Sequence, residues 1–171
     1  MYISKLSEIT TFILDVDGVM TKGQVLVTDE GQMLRSFNIK DGFAMQLAIK
    51  LGYRICIITG GNSPGVSIRL KGLGITDIFT QVHEKLPVFQ EYMSSQNLKS
   101  SEIAYMGDDI PDYLLLKQVG LKCCPADAAS DIIEICDFVS SRDGGEGCVR
   151  ELIEKVLRAQ GKWDLDSIGI W

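Results

Sequence analysis

Positive charge is scarce in this chain: 17 lysines and arginines stand against 23 aspartates and glutamates, for a net charge of −6. That balance excludes the basic footprint of a nucleic-acid binder. It also means that the long-range field repels anions, so an anionic substrate has to be attracted locally, by a few cations or a metal ion. Histidine is almost missing, with His83 alone. The five cysteines (Cys56, Cys123, Cys124, Cys136 and Cys148) contain no CxxC pair, so a structural zinc site is poorly supported. Their odd number leaves one over in any disulfide scheme, and reduced thiols in a cytoplasmic protein are expected. No apolar run is long enough to cross a bilayer; Tyr53–Ile58 is among the longest. Met1–Thr10 has no basic start followed by an apolar core, so no secretion signal is expected. Repeats, low-complexity tracts and Pro/Gly/Ser linkers are absent too, and one domain over 1–171 is expected.

What is present is an alternation of short apolar runs and amphipathic stretches. Thr11–Val16, Tyr53–Ile58, Ile103–Met106 and Gly120–Cys124 have the composition of strands, and each is too uniformly apolar for a sheet with one wet face. Helices are expected over Phe43–Lys50, Leu86–Gln96, Pro111–Gln118 and Cys148–Leu157. In the last, Val149, Leu152, Ile153, Val156 and Leu157 follow the i, i+3, i+4 spacing. Such alternation predicts an α/β fold, a doubly wound parallel sheet flanked by helices. One segment breaks the rhythm. Gln24–Phe37 (QVLVTDEGQMLRSF) has the pattern of two strands around Asp29-Glu30-Gly31, a hairpin placed where a helix would be expected.

Polar tips follow the apolar runs. Asp15-Val16-Asp17-Gly18 closes the first, Thr59-Gly60-Gly61 the second, and Gly107-Asp108-Asp109-Ile110-Pro111-Asp112 the third; Lys85 opens the helix that begins EKLPVF. Taken singly, these are ordinary turn formers or helix caps. Together, in a parallel sheet, they meet at the edge where ligands bind. Carboxylates gathered at one edge are costly unless a hard cation sits among them, and an all-oxygen set favours Mg2+. Lys85 adds a second positive charge, and the Thr59 hydroxyl with backbone N–H groups near Gly60 suits phosphate oxygens. A carboxylate beside a metal serves as a nucleophile on phosphorus, and a second one two residues on serves as acid and base.

These four motifs resemble those of the haloacid dehalogenase superfamily. More narrowly, DVDGVMTKG, the hairpin, FNIKDG (Phe37–Gly42), LGI (Leu73–Ile75), KL (Lys85–Leu86), GDDIPD and GGEGCVRE (Gly144–Glu151) resemble its cap-less branch, the 3-deoxy-D-manno-octulosonate 8-phosphate phosphatases. The resemblance implies Asp15 as nucleophile and Asp17 as general acid/base. It implies Mg2+ held by Asp15, the backbone carbonyl of Asp17, and Asp108, with Asp109 and Asp112 behind them. Thr59, Gly60 and Lys85 would bind phosphate, and Arg69 would reach toward substrate. It further implies a homotetramer built around the hairpins. The tail WDLDSIGIW, with Ile168, Ile170 and Trp171, is then expected to be exposed in a monomer and to pack on another subunit. Cys148 stands where the family has alanine. Gly61 and Gly72 stand where relatives acting on nine-carbon sugar acid 9-phosphates carry an acidic residue and a lysine, which favours the eight-carbon substrate. A nine-carbon substrate and a non-catalytic tetramerisation module are the alternatives. His83, close to Lys85, is expected to be a loop residue rather than a second acid/base.

Overall fold

The structure, a computed structural model, describes residues 2–168. A 3-10 turn over Tyr2–Ser7 leads into β1 (Thr11–Leu14). There follow β2 (Leu26–Val27), β3 (Met33–Leu34), α1 (Ile39–Lys50), β4 (Arg54–Ile58), α2 (Pro64–Gly72), β5 (Asp77–Phe79) and α3 (Lys85–Ser95). The second half contains β6 (Ile103–Met106), α4 (Tyr113–Leu116), β7 (Leu121–Cys124), α5 (Ser130–Ile135), β8 (Phe138–Val139), α6 (Cys148–Ala159) and α7 (Leu165–Ile168).

Six strands form one sheet in the order β5-β4-β1-β6-β7-β8, with every pairing parallel. The uniformly apolar strands are explained by their two covered faces. Because successive side chains alternate across a strand, Phe12 and Leu14 enter one core, with Ile55, Ile57, Ala104, Met106 and the apolar stripe of α6. Ile13 enters the other, with Cys56, Ile58, Tyr105, Phe89 of α3 and Leu115 of α4. The expected doubly wound sheet is therefore present. The chain winds outward from β1 to β4 and β5, then returns to its far side for β6, β7 and β8. That reversal makes the carboxyl end of β1 the switch point, where such sheets bind ligands.

The hairpin is also present, as an antiparallel pair of two-residue strands outside the main sheet. Its apolar residues face outward: Leu26, Val27, Met33 and Leu34 are all exposed.

Several elements differ from expectation. The helix expected from Phe43 begins at Ile39, because the Asn38 side chain caps it by accepting from the Lys40 N–H at 2.9 Å. Pro111–Gln118 is not one helix. It splits into a 3-10 turn over Ile110–Asp112 and the short α4, because Asp109 caps Ile110 and the Asp112 side chain turns back beneath the preceding loop. β5 and β8 are too short for a periodic signal, α5 spans only six residues, and α2 is only weakly amphipathic, so none of these four is evident beforehand. Ile168 is not exposed as expected: it packs, half-buried, against the core containing α1 and α6. Ile170 and Trp171 lie outside the described residues.

Candidate active site

Asp15 is the first residue beyond β1 and Thr59 the first beyond β4, while Gly107-Asp108 follows β6. The three adjacent parallel strands deliver these residues to one edge. Lys85, at the start of α3, reaches in from the side, and its ammonium is the centre of the arrangement. Nζ donates to Asp15 Oδ2 at 2.6 Å and to Asp112 Oδ1 at 2.6 Å. All three are buried, Asp112 to 1% exposure, so the pairings are poorly screened. Asp15 Oδ1 accepts the Val16 N–H at 2.6 Å, which fixes the carboxylate against its own backbone.

Asp112 has more partners than a residue behind the site needs. Its Oδ1 also accepts the buried Tyr105 hydroxyl, and its Oδ2 accepts the N–H of Asp108 at 3.0 Å and of Asp109 at 3.4 Å. It thereby folds the GDDIPD loop around one carboxylate. Two glycines make that packing possible. A Cβ on Gly107 would lie 2.4 Å from Asp112 Cγ, and one on Gly18 would lie 1.9 Å from Asp108 Oδ2. Gly18 also has φ +85°, a conformation that glycine adopts without strain. This is the physical reason for the glycine in DVDG: it lets the Asp108 carboxylate approach the β1 loop.

One carboxylate oxygen each from Asp15, Asp108 and Asp112 lie within 4.8 Å of one another. Burial, then the neighbouring charge of Asp112, pushes the Asp15 carboxyl up to about 6 despite Lys85. Burial, then Asp112 and Asp15, pushes Asp108 up to about 7. Burial works against the Lys85 charge, but Asp15 and Asp112 together outweigh it and hold its pKa above the ordinary value. Three carboxylates thus face one ammonium, an excess of negative charge that adds to burial in raising the Asp15 and Asp108 carboxyls. An all-oxygen set with that excess fits a hard divalent cation such as Mg2+.

Thr59 is buried, and its Oγ1 accepts the Gly61 N–H at 3.2 Å, shaping the turn that carries Gly60 and Gly61. Thr59 and Gly61 share a small hollow with Asp17. Asp17 does not point into the cluster. Both of its oxygens pair with Arg35, which lies just beyond β3. Asp109 is exposed and caps Ile110, its Oδ1 accepting that N–H at 2.8 Å. Arg69, on α2, lies against Gly42, where a Cβ would stand 2.6 Å from Nη2. Gly72 is exposed, with open space around it, and His83 is exposed in the loop before α3.

A family model described as haloacid dehalogenase-like hydrolase matches residues 61–152. The chain belongs to the haloacid dehalogenase-like hydrolases. Among relatives of this hydrolase, the 3-deoxy-D-manno-octulosonate 8-phosphate phosphatase KdsC of Escherichia coli is 36% identical over 95% of this chain and 86% of its own. The Moraxella catarrhalis phosphatase of the same name, solved with magnesium, phosphate and KDO, superposes with a TM-score of 0.94 at 30% identity, covering 99% of this chain and 97% of that one. The Yersinia pestis phosphatase gives a TM-score of 0.91 at 33% identity, covering 94% and 86%.

Two residues of this hydrolase's site were not evident from the sequence. Tyr105 is hidden in the apolar run of β6, and Arg35 sits in a hairpin 18 residues from Asp17. Neither carries a motif. Asp41, outside that cluster, is buried and accepts the Arg150 N–H at 2.7 Å, joining α1 to the start of α6. Its position in the KDG of FNIKDG was the available signal.

Proposed function

We propose that this hydrolase is a Mg2+-dependent phosphatase that releases phosphate from 3-deoxy-D-manno-octulosonate 8-phosphate, an intermediate of lipopolysaccharide sugar synthesis. The observation that carries the reading is Asp15, held by Lys85 at the switch point beside Asp108 and Asp112. The likeness to phosphatases named for that substrate supports the sugar acid.

Asp15 is the nucleophile. A carboxylate oxygen bonds to phosphorus as the phosphorus–ester oxygen bond breaks, leaving an aspartyl phosphate. Asp17 supplies the proton taken up by the departing alkoxide. Water then attacks the phosphorus, Asp17 accepts its proton, and phosphate leaves with Asp15 restored. Lys85 keeps Asp15 in place and, with Thr59 and Gly60, binds the phosphoryl oxygens. Asp15, Asp108 and the backbone carbonyl of Asp17 would hold Mg2+, with Asp112 and Asp109 behind them. When bound, Mg2+ neutralises phosphoryl charge and overcomes the repulsion of a protein at −6.

The whole chain, 1–171, works as one domain without a cap. The exposed apolar hairpin supports self-association as a homotetramer, which would supply cover over the site. A cytoplasmic location agrees with five free cysteines. No helix among the described residues is long and apolar enough to cross a membrane. Gly61 and Gly72 offer no side chains to read a ninth carbon, which favours the eight-carbon substrate.

The test is phosphate release from 3-deoxy-D-manno-octulosonate 8-phosphate with and without Mg2+, beside the nine-carbon 9-phosphate. Metal-dependent turnover with higher kcat/KM for the eight-carbon ester is expected. A preference for the nine-carbon ester, or turnover unaffected by chelation, overturns the assignment.

Metal binding also predicts a pH dependence. Folded-state carboxyls raised to about 6 at Asp15 and about 7 at Asp108 hold protons more tightly than in the unfolded chain. Metal-free stability contributed by these groups is therefore fully present at low pH and lost as pH rises toward 7. Mg2+ has to displace the same protons, so its stabilisation grows over that range. Saturating Mg2+ should raise Tm more at about pH 7.5 than at about pH 5.5. Equal shifts at both pH values would contradict this.

A further inference from the structure

Arg35 holds Asp17 in a way that conflicts with the role of Asp17. Nε donates to Asp17 Oδ1 at 2.6 Å and Nη2 to Oδ2 at 3.0 Å, a bidentate pair, while Nη1 donates to the Met33 carbonyl at 3.2 Å. The Arg35 side chain is only 10% exposed, so the guanidinium is confined rather than loosely attached. An acid/base carboxylate needs one oxygen at the ester oxygen of the substrate. Here both oxygens are engaged by the fork, and the pair has to open before the leaving group is served.

The surroundings indicate what opens it. Arg35 borders a groove of about 810 Å3 between the hairpin and the start of α2. Arg69 stands on the same groove, along with Phe37 and Asn62, and no aspartate or glutamate is among its described lining residues. Two arginines therefore line this groove, and among the described residues the only carboxylate paired with Arg35 is Asp17, on a protein of net charge −6. The phosphoryl end of a substrate belongs at Asp15 and Lys85, so this groove suits a second anion at the other end.

We propose that Arg35 is a substrate-released latch on Asp17: an anionic group on the leaving half of the substrate, in the groove, draws the guanidinium away and frees the carboxylate. The inference rests on the sugar acid reading above, whose carboxylate is that anion. Arg35 is then a positioning and specificity residue, and phosphate esters without a second anion are slow because Asp17 stays engaged.

Gly61 provides an independent handle. A Cβ there would stand 3.4 Å from Asp17 Oδ2 and 3.7 Å from Arg35 Nη2, ordinary contact distances, and its φ is not in the left-handed region. A glutamate at this position supplies Arg35 with a built-in anion, so the substrate no longer has to provide one.

The experiment compares kcat/KM for 3-deoxy-D-manno-octulosonate 8-phosphate and D-ribose 5-phosphate, which has a primary phosphate ester and no carboxylate, in the full chain. In Arg35→Gln the ratio of the two should fall by about 30-fold, the scale of a lost charge-assisted hydrogen bond. Arg35→Lys should fall between, because it restores charge without the fork. In Gly61→Glu the ratio should also fall, by about 10-fold, with ribose 5-phosphate turnover rising. A ratio that stays at the wild-type value in both Arg35→Gln and Gly61→Glu overturns the latch, including the case where both substrates lose equally. If Arg35→Gln does not fold, the ribose 5-phosphate rate in Gly61→Glu decides: a rise in its kcat/KM supports the latch, and a ratio that falls only through loss of the sugar acid phosphate overturns it. Wild-type protein that hydrolyses ribose 5-phosphate but not the sugar acid phosphate refutes the substrate assignment instead.

Discussion

Asp15→Asn is expected to lower kcat by at least about 10^4-fold, because the amide lacks the anionic oxygen on which the proposed covalent intermediate is built. The change is nearly isosteric, and the surroundings favour survival of the fold. The Val16 N–H keeps an acceptor if the amide oxygen faces it, and Lys85 keeps Asp112 as its partner. Asp15 is also a carboxylate whose ionised form burial disfavours, so removing its charge relieves part of what it replaces. Stability should change by no more than about 2 kcal/mol, the scale of one rearranged buried hydrogen bond. Thermal melts beside single-turnover rates are the measurement. A folded, inactive variant assigns the oxygen to chemistry, whereas a tenth or more of the wild-type rate would remove Asp15 from the nucleophile's role.

Lys85→Met is expected to affect both folding and turnover. The ammonium links two carboxylates that belong to different segments, and methionine fills the space without the charge. Asp15 and Asp112 are then left buried, close together and uncompensated. Breaking a buried pair in this way costs about 3–5 kcal/mol. Activity should fall by about 10^3-fold or more, since in the proposed mechanism the phosphate loses a cation and Asp15 its anchor. The informative readout is the response to Mg2+. With the ammonium gone, a divalent cation becomes the remaining source of positive charge, so the Mg2+-induced rise in Tm should exceed that of the wild type. A variant as stable as the wild type without metal, or one with a smaller Mg2+ response, would show that Lys85 does not neutralise the cluster.

Both predictions depend on one carboxylate whose importance differs between sequence and structure. Asp112, the last residue of GDDIPD, is expected from the family resemblance to stand behind the site. In the fold it bonds Lys85, Tyr105 and two backbone N–H groups at once. The same contacts shorten the helix expected over Pro111–Gln118, since a side chain turned back under its own loop competes with helical geometry. Local pattern cannot register that competition, because the partners of Asp112 lie on other elements.

Arg35 illustrates the same limit. Within QVLVTDEGQMLRSF it has the pattern of a charged residue at the end of an exposed hairpin strand. Only the folding of that hairpin over the sheet edge brings it to Asp17. Ile168 shows the converse: an apolar residue in a polar tail gains cover from the core that contains α1 and α6, which its neighbours in sequence do not reveal.

By itself, the sequence determined the alternation of strand and helix, the parallel sheet with two covered faces, the hairpin after β1, and the strand ends that carry Asp15, Thr59 and Asp108. These follow from short-range physics: apolar periodicity, turn residues and helix caps act within a few residues of where they are written. The tertiary structure decided which charges meet. Lys85 and Asp15 are 70 residues apart, Lys85 and Asp112 27 apart, and Arg35 and Asp17 18 apart, yet all three pairs are in contact. Electrostatic energies and carboxyl pKa values depend on distance and burial in space, and the parallel crossovers set those quantities only after the sheet has closed around β1.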